Sequence, residues 1–342
     1  MRCRSVLSGG LLTLSLSDAI WKGSSISARR PCGACFRPEL RCTNRPASYT
    51  NSQSDERRGA LGLILYVKPK TLNEAVSLLA STGGQILAGG TDFYPALGER
   101  LPLGNVVDIT ALDEIRGISI QSDHVRMGGL TTWTEVIRTP LPRCFDALKA
   151  AAREVGSVQT QNRGTVAGNL CNASPAADGV PPLLALDAEV ELVSAAGRRR
   201  VPLGQFLTGN RKTVRQPHEV LAAVLVPRRI EDAVSVFIKL GARKYLVISI
   251  SMVAAVVQTD SSGNVAEAHI AVGSCSATAR RLFELEKDLV GVPATAGIGD
   301  AVTAGHFSPL SPIDDVRATA EYRRDASLSL VRRALEACVG RP

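Results

Sequence analysis

The spacing of apolar positions changes several times along this chain, and each change marks an element. Residues 63–67 form a short apolar run, read as a strand. Leu72, Ala75, Val76 and Leu79 then recur at i, i+3, i+4 and i+7, which predicts a helix over 72–81. Thr71 stands at its N-cap, Glu74 follows as in a capping box, and Gly83 and Gly84 close it. Residues 85–88 read as a buried strand that runs directly into Gly89, Gly90, Thr91 and Asp92. Short strands are expected at 105–109 and 124–127, with a helical turn at 111–115. A helix carries Trp133, Val136 and Ile137, and a second spans 141–155. Strands follow at 188–193, at 198–203 with Arg198–Arg200 on a solvated edge, and at 219–226, where Pro227 stops the last. From about Ile230 three strands (234–240, 249–258 and 266–272) precede helices at 277–290, about 295–304 and 314–338. Short mixed strands in this order define an α+β fold, not an alternating βα ladder.

The periodicity lapses between residues 156 and 178. Gly156, Gly164 and Gly168 fall there among Ser, Thr and Asn, with few bulky apolar side chains, and the stretch reads as a long loop. Glycine lets a backbone approach a ligand closely, so such a loop either cradles a phosphate or is only an extended turn. The Gly89–Asp92 turn after a buried strand presents the same two alternatives.

Charge alters the picture less than its total suggests. The 342-residue chain carries +8, but residues 1–60 hold ten Lys/Arg against four acids, so the remainder carries only about +2. No basic stripe with interleaved aromatics occurs there, which argues against nucleic acid. No run of about 18 apolar residues exists, so no transmembrane segment is expected. Residues 1–60 are Ser-, Arg- and Pro-rich without periodicity, and an upstream segment included by a mistaken start accounts for them better than a signal or transit peptide. Cys32 and Cys35 lack a second ligand pair for zinc. Cys144, Cys171, Cys275 and Cys338 are far apart and read as small buried hydrophobes in a reducing, cytoplasmic setting.

The familiar catalytic signatures are missing. His124, His218, His269 and His306 are isolated and read as surface or capping residues. There is no H-E-x-x-H, G-x-S-x-G, P-loop or G-x-G-x-x-G. Two glycine-rich, hydroxyl-bearing stretches about seventy-five residues apart remain. Two cradles suit a dinucleotide bound without a Rossmann fold.

The stretches Ile86-Leu-Ala-Gly-Gly-Thr-Asp92 and Asn162-Arg-Gly-Thr-Val-Ala-Gly-Asn-Leu-Cys-Asn-Ala-Ser-Pro-Ala-Ala-Asp178 resemble the two FAD-binding motifs of a known family. It is the flavoprotein (medium) subunit of the xanthine dehydrogenase / carbon monoxide dehydrogenase molybdenum hydroxylases. The resemblance runs from about Leu63 to Cys338; residues 1–60 match nothing in it. It implies a two-subdomain FAD-binding domain of the vanillyl-alcohol-oxidase (PCMH) type at 61–229, with subdomains about 61–120 and 121–229. It further implies a small α+β C-terminal domain at 230–342, a three-stranded antiparallel sheet plus helices. Carried over, Ile86, Leu87, Ala88, Gly89, Gly90, Thr91, Asp92 and Phe93 would hold the FAD diphosphate. Thr165, Gly168, Asn169, Asn172, Ser174 and Asp178 would continue along the cofactor, and Leu221 and Lys239 would lie near the isoalloxazine. No catalytic side chain and no metal ligand is implied in this chain. FAD would be noncovalent. Molybdenum cofactor and 2Fe-2S clusters would reside in a large molybdopterin-binding and a small iron–sulfur partner subunit, in a dimer of heterotrimers. Electrons would pass from those clusters through FAD to an external acceptor. The alternatives are a stand-alone FAD-dependent oxidase of the same fold and a flavin-free assembly subunit.

Overall fold

A computed structural model describes residues 65–102 and 104–340. The N-terminal 1–60 reading and the start of the strand at 63–67 lie outside these residues. Strand β1 (Tyr66–Val67) leads to helix α1 (Leu72–Thr82), strand β2 (Gln85–Leu87), the short helix α2 (Phe93–Leu97) and strand β3 (Val106–Asp108). The three strands form a parallel sheet in the order β1-β3-β2. Helix α1 buries Leu72, Ala75, Val76 and Leu79, the stripe its sequence spacing predicts. Thr71 Oγ1 accepts the Glu74 amide at 3.2 Å. The Glu74 carboxylate, however, reaches the Lys70 amide instead of the cap residue's own, so the reciprocal half of the capping box does not form.

A five-stranded antiparallel sheet comes next. It contains β4 (Ile118–Ile120), β5 (His124–Gly128), β6 (Glu189–Ser194), β7 (Gly197–Pro202) and, after a small hairpin, β10 (Val220–Pro227). The order is β4-β5-β10-β6-β7, with β7 and its arginines at one edge. Strand β4 is too short and too exposed for its sequence to announce it. The hairpin comprises helix α8 (Leu203–Phe206), β8 (Leu207–Gly209) and β9 (Lys212–Thr213). Strand β10 is buried over all but its last residue and divides two cores. Val220 and Ala222 face the α1 side; Leu221, Val224 and Val226 face the other. A bulge between Leu221 and Ala223 against β6 allows that change of phase.

The helices between β5 and β6 hold the site. They are α3 (Trp133–Arg138), α4 (Asp146–Glu154), α5 (Val158–Arg163), α6 (Val166–Asn172) and α7 (Val180–Ala185). The stretch 156–178 is therefore not a loop but two short helices and the turn after them. Its hydroxyls are helix caps: Ser157 accepts the Thr160 amide, and Thr165 accepts that of Gly168 at 3.0 Å. Glycine and hydroxyl content obscured two helices too short for an apolar period to register.

The C-terminal part is a four-stranded antiparallel sheet of β11 (Val234–Leu240), β12 (Ser251–Thr259), β13 (Val265–Gly273) and β14 (Arg280–Arg281), one strand more than expected. Helices α9 (Phe283–Leu289) and α10 (Ala320–Val339) cover one face. Alternation is strict on β12. Val253, Ala255 and Val257 meet these helices, whereas Ala254 and Val256 join the core around α4 and α7. The expected helices at 277–290 and 295–304 shrink. Arg280 and Arg281 pair with β13, and residues 298–301 and 304–307 form only 3-10 turns. Gly291 and Gly297, at φ of +83° and +95°, break the run between them. His269 is buried, hydrogen-bonded to the Ala185 carbonyl and Glu267, and so is not the surface residue its isolation suggested.

Candidate functional site

The two glycine stretches meet. A Cβ on Gly89 would lie 1.9 Å from the Arg163 carbonyl oxygen and 3.1 Å from the Gly164 Cα, so the β2–α2 turn packs backbone to backbone on the α5–α6 junction. That junction is anchored in turn. The Trp133 amide donates to the Gly164 carbonyl at 3.2 Å, and Val166 donates to that of Thr131 at 2.9 Å. The buried Trp133 indole is bracketed by glycines. A Cβ on Gly179 would lie 2.3 Å from its ring and one on Gly164 3.5 Å. Gly129 has the same purpose on the far side, where a Cβ would stand 2.2 Å from the Leu221 carbonyl.

A cavity of about 490 Å³ opens over this contact. Of the residues singled out from sequence, Ile86, Ala88, Gly89, Gly90, Thr91, Asp92, Phe93, Thr165, Gly168, Asn169, Asn172 and Leu221 line it. Leu87, Ser174, Asp178 and Lys239 are not in the lining. Leu87 points into the core. The Ser174 hydroxyl accepts the Ala176 amide within its own turn. Asp178 and Lys239 are bound to each other at 2.8 Å, and Ser249 Oγ donates to the second Asp178 oxygen at 2.7 Å. Burial pushes the Asp178 carboxyl above its usual range, against the pull of Lys239 and Ser249. Together these bonds tie the segment after α6 to β11 and to the residues just before β12.

The lining also includes Trp133, Thr160, Arg215 and Pro217, which sequence reasoning left out of the site. Trp133 carried a signal, since it follows Gly128, Gly129 and two threonines. Arg215 carried none, because it sits in an irregular stretch between β9 and β10. Cys171 lines the cavity as a thiol, pushed up to about 11 by burial, with the Arg215 charge opposing the shift.

The donors present suit an anionic dinucleotide. Among the described residues the amides of Gly89, Gly90, Thr91 and Asp92 have no protein acceptor. A run of such N–H groups after a strand is a concavity for phosphate oxygens. The Gly168 amide, by contrast, is already held by Thr165. A Cβ there would meet only Thr165 Oγ1 within 4 Å, so the absence of a side chain is what Gly168 contributes to the open space. The buried Asn169 Oδ1 has no hydrogen-bond partner among the described residues, which marks a place for a ligand donor. Apolar walls from Ile86, Phe93, Trp133 and Leu221 suit a flat ring.

A cavity of this size and lining suits a dinucleotide held without a Rossmann fingerprint, and the class of protein follows from its relatives. Residues 58–229 match the family described as the FAD binding domain in molybdopterin dehydrogenase, and residues 237–338 match the CO dehydrogenase flavoprotein C-terminal domain. The chain belongs to this family of FAD-binding subunits of molybdenum hydroxylases, and FAD is its cofactor. It is 31% identical to the xanthine dehydrogenase FAD-binding subunit of Escherichia coli O157:H7, over 80% of this chain and 95% of that one. It is 34% identical to the nicotinate dehydrogenase FAD-subunit of Eubacterium barkeri, over 67% and 80%. Among solved structures it superposes on carbon monoxide dehydrogenase from Hydrogenophaga pseudoflava with a TM-score of 0.73 at 29% identity, covering 80% of this chain and 96% of that chain. No helix among the described residues is long and apolar enough to cross a membrane.

Proposed function

We propose that this chain is the electron-transfer subunit of a molybdenum-containing dehydrogenase complex, binding FAD noncovalently in the cavity above. In this reading electrons arrive from the 2Fe-2S clusters of a small partner subunit and leave to an external acceptor. A large molybdopterin-binding subunit oxidises the substrate, and the assembly is a dimer of heterotrimers in the cytoplasm. Residues 61–229 act as the flavin domain, with subdomains about 61–120 and 121–229, and residues 230–342 as a separate C-terminal domain. The observation that carries the reading is the convergence of Gly89–Asp92 and Gly164–Asn169 on one cavity with unpaired amides.

Bound FAD supplies the redox chemistry; the chain supplies binding and orientation. The Gly89–Asp92 amides would hold the diphosphate, Thr91 would add a hydroxyl, and Asn169 Oδ1 would accept a hydrogen bond from the cofactor's polar chain. Trp133 and Leu221 exclude water from the apolar side. The charged groups in the lining are Asp92 and Arg215. Neither forms a base–nucleophile pair of the kind a stand-alone oxidase requires, which favours the subunit reading.

The test is the visible absorption spectrum of the purified full-length chain, before and after FAD reconstitution, with affinity capture alongside co-expressed partner subunits. Flavin absorption and co-purification of a molybdenum subunit are expected. Absence of flavin after reconstitution overturns the reading in favour of an assembly subunit. Flavin turnover of a substrate without partners overturns it in favour of an oxidase.

A further inference from the structure

We propose that Arg215 contacts the bound flavin and stabilises the negative charge that the ring gains on reduction, an assignment that rests on the cavity being the FAD site. Among the described residues, Arg215 is the single cation in the lining. Its Nη1 donates to three carbonyl oxygens, those of Gln216 at 3.0 Å, Pro217 at 3.4 Å and Glu219 at 2.8 Å. That fixes the guanidinium in place. Its Nε and Nη2 have no protein acceptor among the described residues. Nor does an acid among the described residues compensate it. The nearby Glu219 carboxylate is held bidentate by Arg199, at 2.7 and 2.8 Å, and by the Gln216 amide at 2.7 Å. Lys239, the one cation that sequence reasoning assigned to the site, is neutralised by Asp178. Arg215 is thus a pre-oriented charge with a free hydrogen-bonding edge, an arrangement suited to an anionic partner.

Position selects which anion. The 211–215 segment packs on the C-terminal end of α6: the Arg211 amide donates to the Ala173 carbonyl at 2.9 Å, and its guanidinium reaches Asn172. The Gly89–Asp92 cradle sits at the opposite end, on the residues that precede α6. From Thr165 to Asn172 a helix rises roughly 10 Å at ~1.5 Å per residue. FAD carries negative charge at its diphosphate and, once reduced, at the pyrimidine edge of the ring; adenosine is neutral. With the diphosphate over the amides, the charge left for Arg215 is that of the ring. Oxidised flavin takes up two electrons and one proton to give the reduced anion. Partner iron–sulfur clusters supply those electrons in the proposed complex, and dithionite supplies them in the test. A fixed positive charge beside that edge favours the reduced form.

The experiment is the midpoint potential of FAD bound to the full chain, measured by reductive titration against a reference dye, for wild type, Arg215→Leu and Arg215→Lys. Affinities for oxidised FAD and for ADP, with thermal unfolding, are measured in parallel. Arg215→Leu is expected to weaken reduced-flavin binding at least tenfold relative to oxidised, a fall of about 30 mV for a two-electron couple. Arg215→Lys should recover part of that fall. If Arg215→Leu does not fold, Arg215→Gln replaces it with the same expectation. An unchanged midpoint overturns the assignment, and a parallel tenfold loss for oxidised FAD and ADP would place Arg215 on the diphosphate instead. If folded wild-type chain binds no FAD, both this inference and the flavoprotein reading fall.

Discussion

Replacing Gly89 by alanine tests the site at the contact that creates it. The added Cβ would stand 1.9 Å from the Arg163 carbonyl oxygen. Non-bonded heavy atoms settle at roughly 3.5 Å, so the β2–α2 turn and the α5–α6 junction must part by about 1.6 Å. The obstacle is backbone on both sides, so no rotamer change relieves it. Overpacking of this kind costs ~1–3 kcal/mol of stability, or a fall in Tm of about 1.4 °C per kcal/mol at ~2.1 cal/mol/K of unfolding entropy per residue over 342 residues. The cofactor should suffer more. If two amide bonds to the diphosphate lose their geometry, at ~1.5–3 kcal/mol each for a charged acceptor, the loss is ~3–6 kcal/mol, or roughly 10²- to 10⁴-fold in Kd. Flavin fluorescence titration of Gly89→Ala, with circular dichroism to confirm folding, measures both effects. Gly204→Ala is the control, because a Cβ there meets only Leu184 Cδ2 at 3.8 Å. A folded Gly89→Ala protein that binds FAD within threefold of wild type would refute the account of how the two motifs cooperate.

Gly168→Val should abolish flavin occupancy, read as lost visible absorption after reconstitution, because the branched side chain enters the open cavity and also presses on the Thr165 cap 2.9 Å from its Cβ. Lys239→Met leaves Asp178 buried and unpaired, and a loss of ~3–5 kcal/mol is expected in urea unfolding. Adding Asp178→Asn should recover part of it, and an unaltered midpoint in the single variant would show that the pair does not tie the segment after α6 to the sheet. Asp315 offers a pH test. Burial would raise its carboxyl, but the Arg317 amide, the Arg323 guanidinium and other donors outweigh that and hold it at about 2. Its unfolded value is ~3.9, so its folded pKa is depressed. Its stabilisation is complete above the unfolded value and fades as pH falls toward 2. Tm measured from pH 5 to pH 2 should therefore fall less steeply in Asp315→Asn than in wild type, and parallel profiles would contradict the assignment.

What could be read from the sequence follows from what each signal depends on. Helix α1 was legible to within a residue because apolar period, cap and terminal glycine all agree. Strands β10 to β13 were legible because β-branched runs are long and bounded by turns. The helices α5 and α6 were not, since α5 buries only Gln161 and α6 only Val166, Ala167 and Leu170, too short a run for an apolar period to register. Residues 277–304 misled in the opposite sense. Their composition favours helix, but pairing of Arg280 and Arg281 with β13, and the Arg281 bonds to Glu286 at 2.7 Å and Asp187 at 2.7 Å, hold the start of the segment extended.

Sequence alone narrowed the ligand to a dinucleotide, because two glycine- and hydroxyl-rich stretches without a Rossmann fingerprint suit one, and the resemblance of residues 86–92 and 162–178 to known motifs named FAD. Tertiary structure decided everything that depends on residues distant in the chain. It laid Gly89 on Gly164, made the Thr165 hydroxyl oxygen the acceptor that caps α6, and drew Asp178 and Lys239 into a pair with each other. It also brought Arg215, which has no motif around it, to the cavity wall with one edge unpaired. A motif reports what a segment can bind, but whether its donors remain available is settled only by the partners that folding brings to them.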